Sequence, residues 1–313
     1  MIINRAVLHN QGCHDKDWIV TQLCYETIMG SHAYGCEVAE SDVDIYGFCI
    51  PPKEYILPSM FGFIPGFSID LPNFEQFQAT KFKYKQREAE GTIFSIVKYF
   101  RLVANNNPNM LDSLFTRPQL QTHRTKIAEM VIANKKLFVS KRCWDTFVNY
   151  AYSQRKKLLT KVPEGKRVAS VEKYGYDVKF AAHSVRLLNE VEQLLVDGDM
   201  DLMRHNDMLK SIRRGEWPKE KIIEYFDNNE KRLQLLCDQS PLPEKVDERK
   251  LKHLLINCLE EFYGDLRIEK NANVGDIIND MQLALTNAQE TLNRWKSGGD
   301  NDETITENDS VPE

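Results

Sequence analysis

The chain has 313 residues, 42% of them hydrophobic, enough to build one large core or two ordinary ones, which excludes a disordered chain or a disulfide-held miniprotein. Its net charge of −5 owes everything to the last 17 residues, which carry six acids and no base; without them the balance is +1, so any nucleic-acid surface must be local. Seven scattered cysteines with no C-x-x-C pair, no signal-like N-terminal stretch and no apolar run of membrane-spanning length lead to the expectation of a soluble, cytoplasmic protein with reduced thiols and no membrane partner.

In chain order, apolar residues first come in short strand-like runs cut by Gly and Pro: Tyr25 to Met29, then Ile45 to Ile50 before the Pro51-Pro52 turn. Residues 58–75, with Pro58, Gly62, Pro65, Gly66 and Pro72, read as a long irregular loop able to fold over a site. Lys81 to Glu90 alternates: Phe82, Tyr84, Gln86, Glu88 and Glu90 share one phase, while Lys81, Lys83, Lys85 and Arg87 share the other. From Ile93 the period turns helical, with Ile96, Val97, Phe100, Val103 and Ala104 on one stripe. Ala181, Val185, Leu188, Val191 and Leu195 mark a second helix, and Val274 to Trp295 a third. The fold class expected is α+β: a small mixed β-sheet domain over residues 1–120, a helical domain over 121–296 and a disordered acidic tail over 297–313.

The chemistry is concentrated in Gly30-Ser31 and, ten residues on, Ser41-Asp42-Val43-Asp44-Ile45. Side chains alternate along a strand, so Asp42 and Asp44 share a face while Val43 and Ile45 turn into the core. Two carboxylates held together repel unless a cation lies between them, and Mg²⁺ binds through one or two carboxylates plus substrate phosphates. Gly30 lets backbone approach a ligand, and Ser31 offers a hydroxyl and an N–H to a phosphate oxygen.

Gly-Ser, about ten residues, then Asp-hydrophobic-Asp resembles the signature of the DNA polymerase β-like nucleotidyltransferase superfamily. Gly30-Ser31-His32-Ala33-Tyr34-Gly35 and Glu40-Ser41-Asp42-Val43-Asp44-Ile45-Tyr46-Gly47 are similar to its branch of predicted nucleotidyltransferases linked to RNA repair. Lys98 to Leu102, Asn107-Pro108-Asn109-Met110-Leu111, Tyr176 to His183 and Arg213-Arg214-Gly215-Glu216 extend the likeness, which runs from about Ile19 to about Lys250. The resemblance implies a triad of carboxylates on a small sheet. Asp42 and Asp44 are its first two members, and alignment on the following helix and Asn107-Pro108 puts the third on Glu90, where the family usually has Asp; Glu88, in the same phase, is the fallback.

Two Mg²⁺ (or Mn²⁺) ions held by Asp42, Asp44 and Glu90 would then grip a nucleoside triphosphate, with Gly30 and Ser31 on its β- and γ-phosphates. Lys98, one turn into the next helix, is expected to reach a phosphate. Lys179, His183 and Arg186, at i, i+4 and i+7, share a helix face and are expected to contact nucleotide, with Asp177 as the helix cap. The basic stretch from Lys141 to Lys173, nine Lys/Arg against three acids with Tyr150, Tyr152 and Tyr174 near, is the candidate RNA contact. Transfer of a nucleoside monophosphate to an RNA hydroxyl is the function expected; nucleotidylation, such as AMPylation, of a protein or small-molecule hydroxyl, and a silent nucleotide-binding regulator, are the alternatives.

Overall fold

A computed structural model describes residues 1–39, 41–66, 71–165 and 167–264, together with Gln282, Leu285, Thr286, Gln289, Leu292 and Asn293. Met1–Leu266 form one compact unit. Of the stripe expected between Val274 and Trp295 only Leu285 and Leu292 are described, both helical and exposed; the rest of it, the 297–313 tail, Glu40 and Lys166 lie outside the described residues.

Helices α1 (Arg5–Asn10) and α2 (Trp18–Thr21) precede strands β1 (Leu23–Ile28) and β2 (Val43–Cys49). A short helix α3 (Lys53–Ile56), strands β3 (Gln76–Tyr84) and β4 (Arg87–Ser95), helices α4 (Ile96–Ala104) and α5 (Pro108–Ser113) and strand β5 (Gln121–Arg124) follow. Among the described residues the elements that follow are helices: α6 (Lys126–Ala133), α7 (Arg142–Thr160), α8 (Arg167–Tyr174), α9 (Val178–Asp197), α10 (Asn206–Arg213), α11 (Lys219–Gln239) and α12 (Glu248–Tyr263). The strands lie in the order β3-β4-β2-β1-β5; among the described residues only β2 and β4 run parallel, so the sheet is mixed and the architecture is α+β as expected.

Alternation along β2 decides where the acids go. Val43, Ile45 and Cys49 pack into one apolar cluster with Ile3, Leu8 and Ile19, while Tyr46 and Phe48 turn to the opposite cluster, built with α4, α7 and α9. Phe48 and Tyr99 stand 4.7 Å apart between ring centroids there. Asp44 has the parity of Tyr46 and Phe48, so its carboxylate emerges on the helix-covered side of the sheet.

Two expectations about this region change. Lys81 to Glu90 is not one strand but a hairpin: β3 turns into β4 at Lys85 and Gln86, whose φ of 48° and 66° make the two-residue left-handed connection that fits strand twist. Lys81, at φ 50°, sits where the β3/β4 register shifts between Ala79 and Phe82. The helix expected from Ile93 begins at Ile96, because β4 continues to Ser95, whose side chain accepts the Lys98 N–H and caps α4.

Candidate active site

Parallel pairing of β2 with β4 puts Asp44 directly opposite Glu90. Glu88, two residues back, is exposed, reaches toward Lys83 at 4.0 Å and does not line the cavity formed here, so the sheet register favours Glu90 as the third acid. That cavity, of about 530 Å³, is lined by Asp42, Asp44, Glu90, Gly30 and Ser31 from the sheet side and by Lys179, His183 and Arg186 from α9. Its size lies within the range of sites that enclose a small-molecule ligand.

Gly30 has a reason stronger than the one expected of it. Its φ is +62°, and a Cβ built there would stand 1.9 Å from Asp44 Oδ2. The adjacent Met29 N–H donates to the Asp44 carbonyl at 2.8 Å, so the turn is pinned against the acid-bearing strand. Gly30→Ala is therefore expected to push the Asp44 carboxylate aside and to cost about 1–3 kcal/mol of stability. Steady-state transfer kinetics with urea unfolding check this; wild-type rates in the variant would show that the close approach is unimportant.

Burial raises the Asp44 carboxyl to about 6, Glu90 adds to the rise, Lys179 opposes it and Asp42 adds a smaller push. A carboxylate so crowded by like charge is the donor chemistry that a hard divalent cation relieves. Among the described residues no three acids, histidines or cysteines stand as a ready-made metal cage. The set suits an ion that takes one or two carboxylates and completes its shell with substrate phosphates and water.

The α9 residues divide. Asp177 caps the helix, its carboxylate accepting the Lys179 and Phe180 N–H groups at 2.8 and 3.3 Å. Lys179 is exposed at the cavity edge, with no carboxylate partner within 4.0 Å among the described residues. His183 stands edge-on to Tyr150, 4.9 Å between centroids, and its Nε2 is buried without a hydrogen-bond partner. Burial, then the charges of Arg186, Lys157 and Lys179, push its imidazole down to about 2, so it is neutral at any working pH.

Arg186 is buried and already engaged. Its Nη1 donates to Asp112 Oδ2 at 2.6 Å and to both Glu190 oxygens at 2.8 Å, while its guanidinium stacks 4.0 Å from the Tyr34 ring. Tyr34 in turn donates its hydroxyl to Asp112 Oδ2 at 2.8 Å. Arg186 therefore ties α9 to α5 and to the loop carrying Gly30 and Ser31, a positioning task that the helix-face reading did not foresee. Lys98 is not brought to the cavity: its Nζ donates to Glu75 Oε2 at 2.5 Å, beside the Arg101 bond to the same carboxylate.

Sequence reasoning passed over Tyr34, Tyr46, Asn109 and Arg213, all of which line the cavity. All four lie inside stretches that carry the family resemblance, which was the available signal. Arg213 ends α10 and adds a second base facing the acids.

Residues 10–254 match the model of the RNA repair pathway DNA polymerase beta family. An uncharacterized 38.9 kDa protein of the nrdC-mobD intergenic region of Enterobacteria phage T4 is 22% identical over 281 residues, covering 87% of this chain and 76% of that protein. A nucleotidyltransferase-like protein from Exiguobacterium sibiricum 255-15 is 10% identical with a TM-score of 0.27, over 82% of this chain and 73% of that one, a likeness that carries no weight here.

Proposed function

Because the chain belongs to the RNA repair pathway DNA polymerase beta family and is a nucleotidyltransferase of that type, we propose that it transfers a nucleoside monophosphate from a nucleoside triphosphate to a hydroxyl of RNA. The observation that carries this reading is the pairing of Asp44 with Glu90 across β2 and β4, over Gly30 and facing the bases Lys179 and Arg213 in one cavity. Acids from the sheet side serve the reacting phosphate, and bases from α9 and α10 close the site over it.

Asp42, Asp44 and Glu90 would hold Mg²⁺ or Mn²⁺, which when bound offsets phosphate charge and polarises the α-phosphorus. Lys179 and Arg213 attract the triphosphate as point charge and fork, respectively. The Gly30-Ser31 turn supplies N–H and hydroxyl donors to the phosphate oxygens. Neutral His183 adds no charge to that of Lys179, Arg213 and the already paired Arg186, and has a polar atom to spare for an uncharged ligand group. The acceptor oxygen forms a bond to the α-phosphorus as the bond to the β-phosphate oxygen breaks, pyrophosphate leaves, and the hydroxyl proton is taken up at a Glu90 carboxylate oxygen.

The test is incubation of the full chain with each of four α-labelled nucleoside triphosphates, Mg²⁺ or Mn²⁺, and either RNA or cell extract. Label in RNA is expected. Label confined to protein would replace RNA by a protein hydroxyl as acceptor, and tight nucleotide binding with no transfer to anything would make the chain a regulator.

A further inference from the structure

The basic stretch 141–173 does not act as one surface. Lys141 pairs with Glu244 at 2.8 Å and Arg155 with Asp227 at 2.8 Å, so those charges are already matched. Lys157, Lys161 and Arg167, from the end of α7, the following loop and α8, instead converge on one aromatic ring: they stand 6.0, 5.9 and 4.1 Å from the centroid of Phe180. Together with Lys219 they line a pocket of about 170 Å³. The one carboxylate lining it is Asp177, bound to Arg167 at 3.1 Å; Lys157, Lys161 and Lys219 have no carboxylate within 4.0 Å among the described residues. Each cation gains from the ring face, but three of them around one ring repel one another, and an anion would relieve that repulsion.

Size and place narrow the anion. The pocket is well under the roughly 300 Å³ at which sites enclose a drug-sized ligand, too small for a nucleoside but adequate for one phosphate group. Lys179 lines the catalytic cavity and its neighbour Phe180 lines this pocket, so the two share the first turn of α9. Tyr176, also in the pocket wall, donates its hydroxyl to the Trp217 carbonyl at 2.6 Å, and the Trp217 ring lies under Lys221 Nζ at 3.9 Å.

We propose that the pocket around Phe180 is a subsite for a backbone phosphate of the single-stranded RNA acceptor, beside the transfer cavity at the first turn of α9. It rests on the RNA-acceptor reading above and adds the residues that hold the strand. Lys157, Lys161, Arg167 and Lys219 grip the phosphodiester, and the strand end is left beside Asp44 and Glu90.

The test compares the intact chain with its Lys157→Gln/Lys161→Gln variant, both exposed positions, by fluorescence anisotropy with a 5′-labelled oligouridylate over a range of KCl. A fluorescent ATP analogue is the second probe, and thermal unfolding checks the fold. The variant is expected to bind the RNA about tenfold more weakly, with its log–log salt slope shallower by about 0.7 per lost phosphate contact, and to bind the analogue as the wild type does. Unchanged RNA affinity and slope, against measurable wild-type binding, would overturn the subsite alone. A loss confined to the ATP analogue would reassign these bases to the triphosphate. Failure of the wild type to bind RNA at all would remove the acceptor reading and the subsite with it.

Discussion

Asp44→Asn is expected to lower nucleotide transfer on the order of a thousandfold and, in the same protein, to raise the unfolding temperature of the metal-free form. The loss follows from the proposed role of Asp44, a carboxylate donor removed where like-charged acids would meet the reacting phosphate. The gain follows from linkage. The Asp44 carboxyl sits at about 6 in the folded chain against 3.8 when unconstrained, so between those values the native state holds a proton that the unfolded state has released. Stability contributed by this group is therefore greatest at low pH, falls as pH rises through that window, and is level above it, a cost of at most about 3 kcal/mol at neutral pH. Asparagine keeps the shape and cannot ionise, so the variant escapes the cost. Thermal unfolding in EDTA from pH 4 to 8 should show the two proteins converging toward the acid end and separating by several degrees near pH 7. A variant that transfers nucleotide normally, or that is less stable than wild type at neutral pH, would contradict this account of the site.

How much of this was legible beforehand depends on the range over which each residue's role is decided. Asp44 needed only the strand period; Asp42 precedes β2, which begins at Val43, yet lines the same cavity, and Glu90 kept its phase because the hairpin turn falls before it. The turn itself was hidden: Lys85 and Gln86 adopt left-handed backbone without the Gly or Asn that would announce it, and the Lys/Arg alternation continues across them. Likewise Ile93 and Phe94 satisfy a helical stripe and a buried strand equally well, and pairing with Gly47 and Phe48 settles the matter in favour of the strand. At Gly30 the sequence suggests clearance for a ligand, whereas its first constraint is clearance for Asp44. Lys98 and Arg186 show the limit most clearly: each has the right type and spacing for phosphate, and each is claimed by a carboxylate far away in sequence, Glu75 for one and Asp112 for the other.

Arg186→Met is expected to destabilise the protein by about 3–5 kcal/mol, the largest stability effect at this site. Arg186 is 5% exposed, Glu190 3% and Asp112 0%. Burial pushes both carboxyls above their ordinary range while the guanidinium between them pulls each back, so methionine would fill much of the space and leave two acids without their counter-charge. Asp112 is the more exposed to this loss, since its Oδ1 already lacks a partner and Tyr34 would be its remaining bond. The consequence reaches the active site through Tyr34, whose ring rests on the guanidinium and whose loop carries Gly30 and Ser31. Nucleotide affinity should fall as a secondary effect of that loosening. Adding Asp112→Asn and Glu190→Gln removes the stranded charges and should restore most of the urea midpoint, because a neutral buried cluster has no need of the arginine. If Arg186 bound the triphosphate directly, the single variant would keep its urea midpoint, lose nucleotide affinity, and recover none of it when its two neighbours were neutralised.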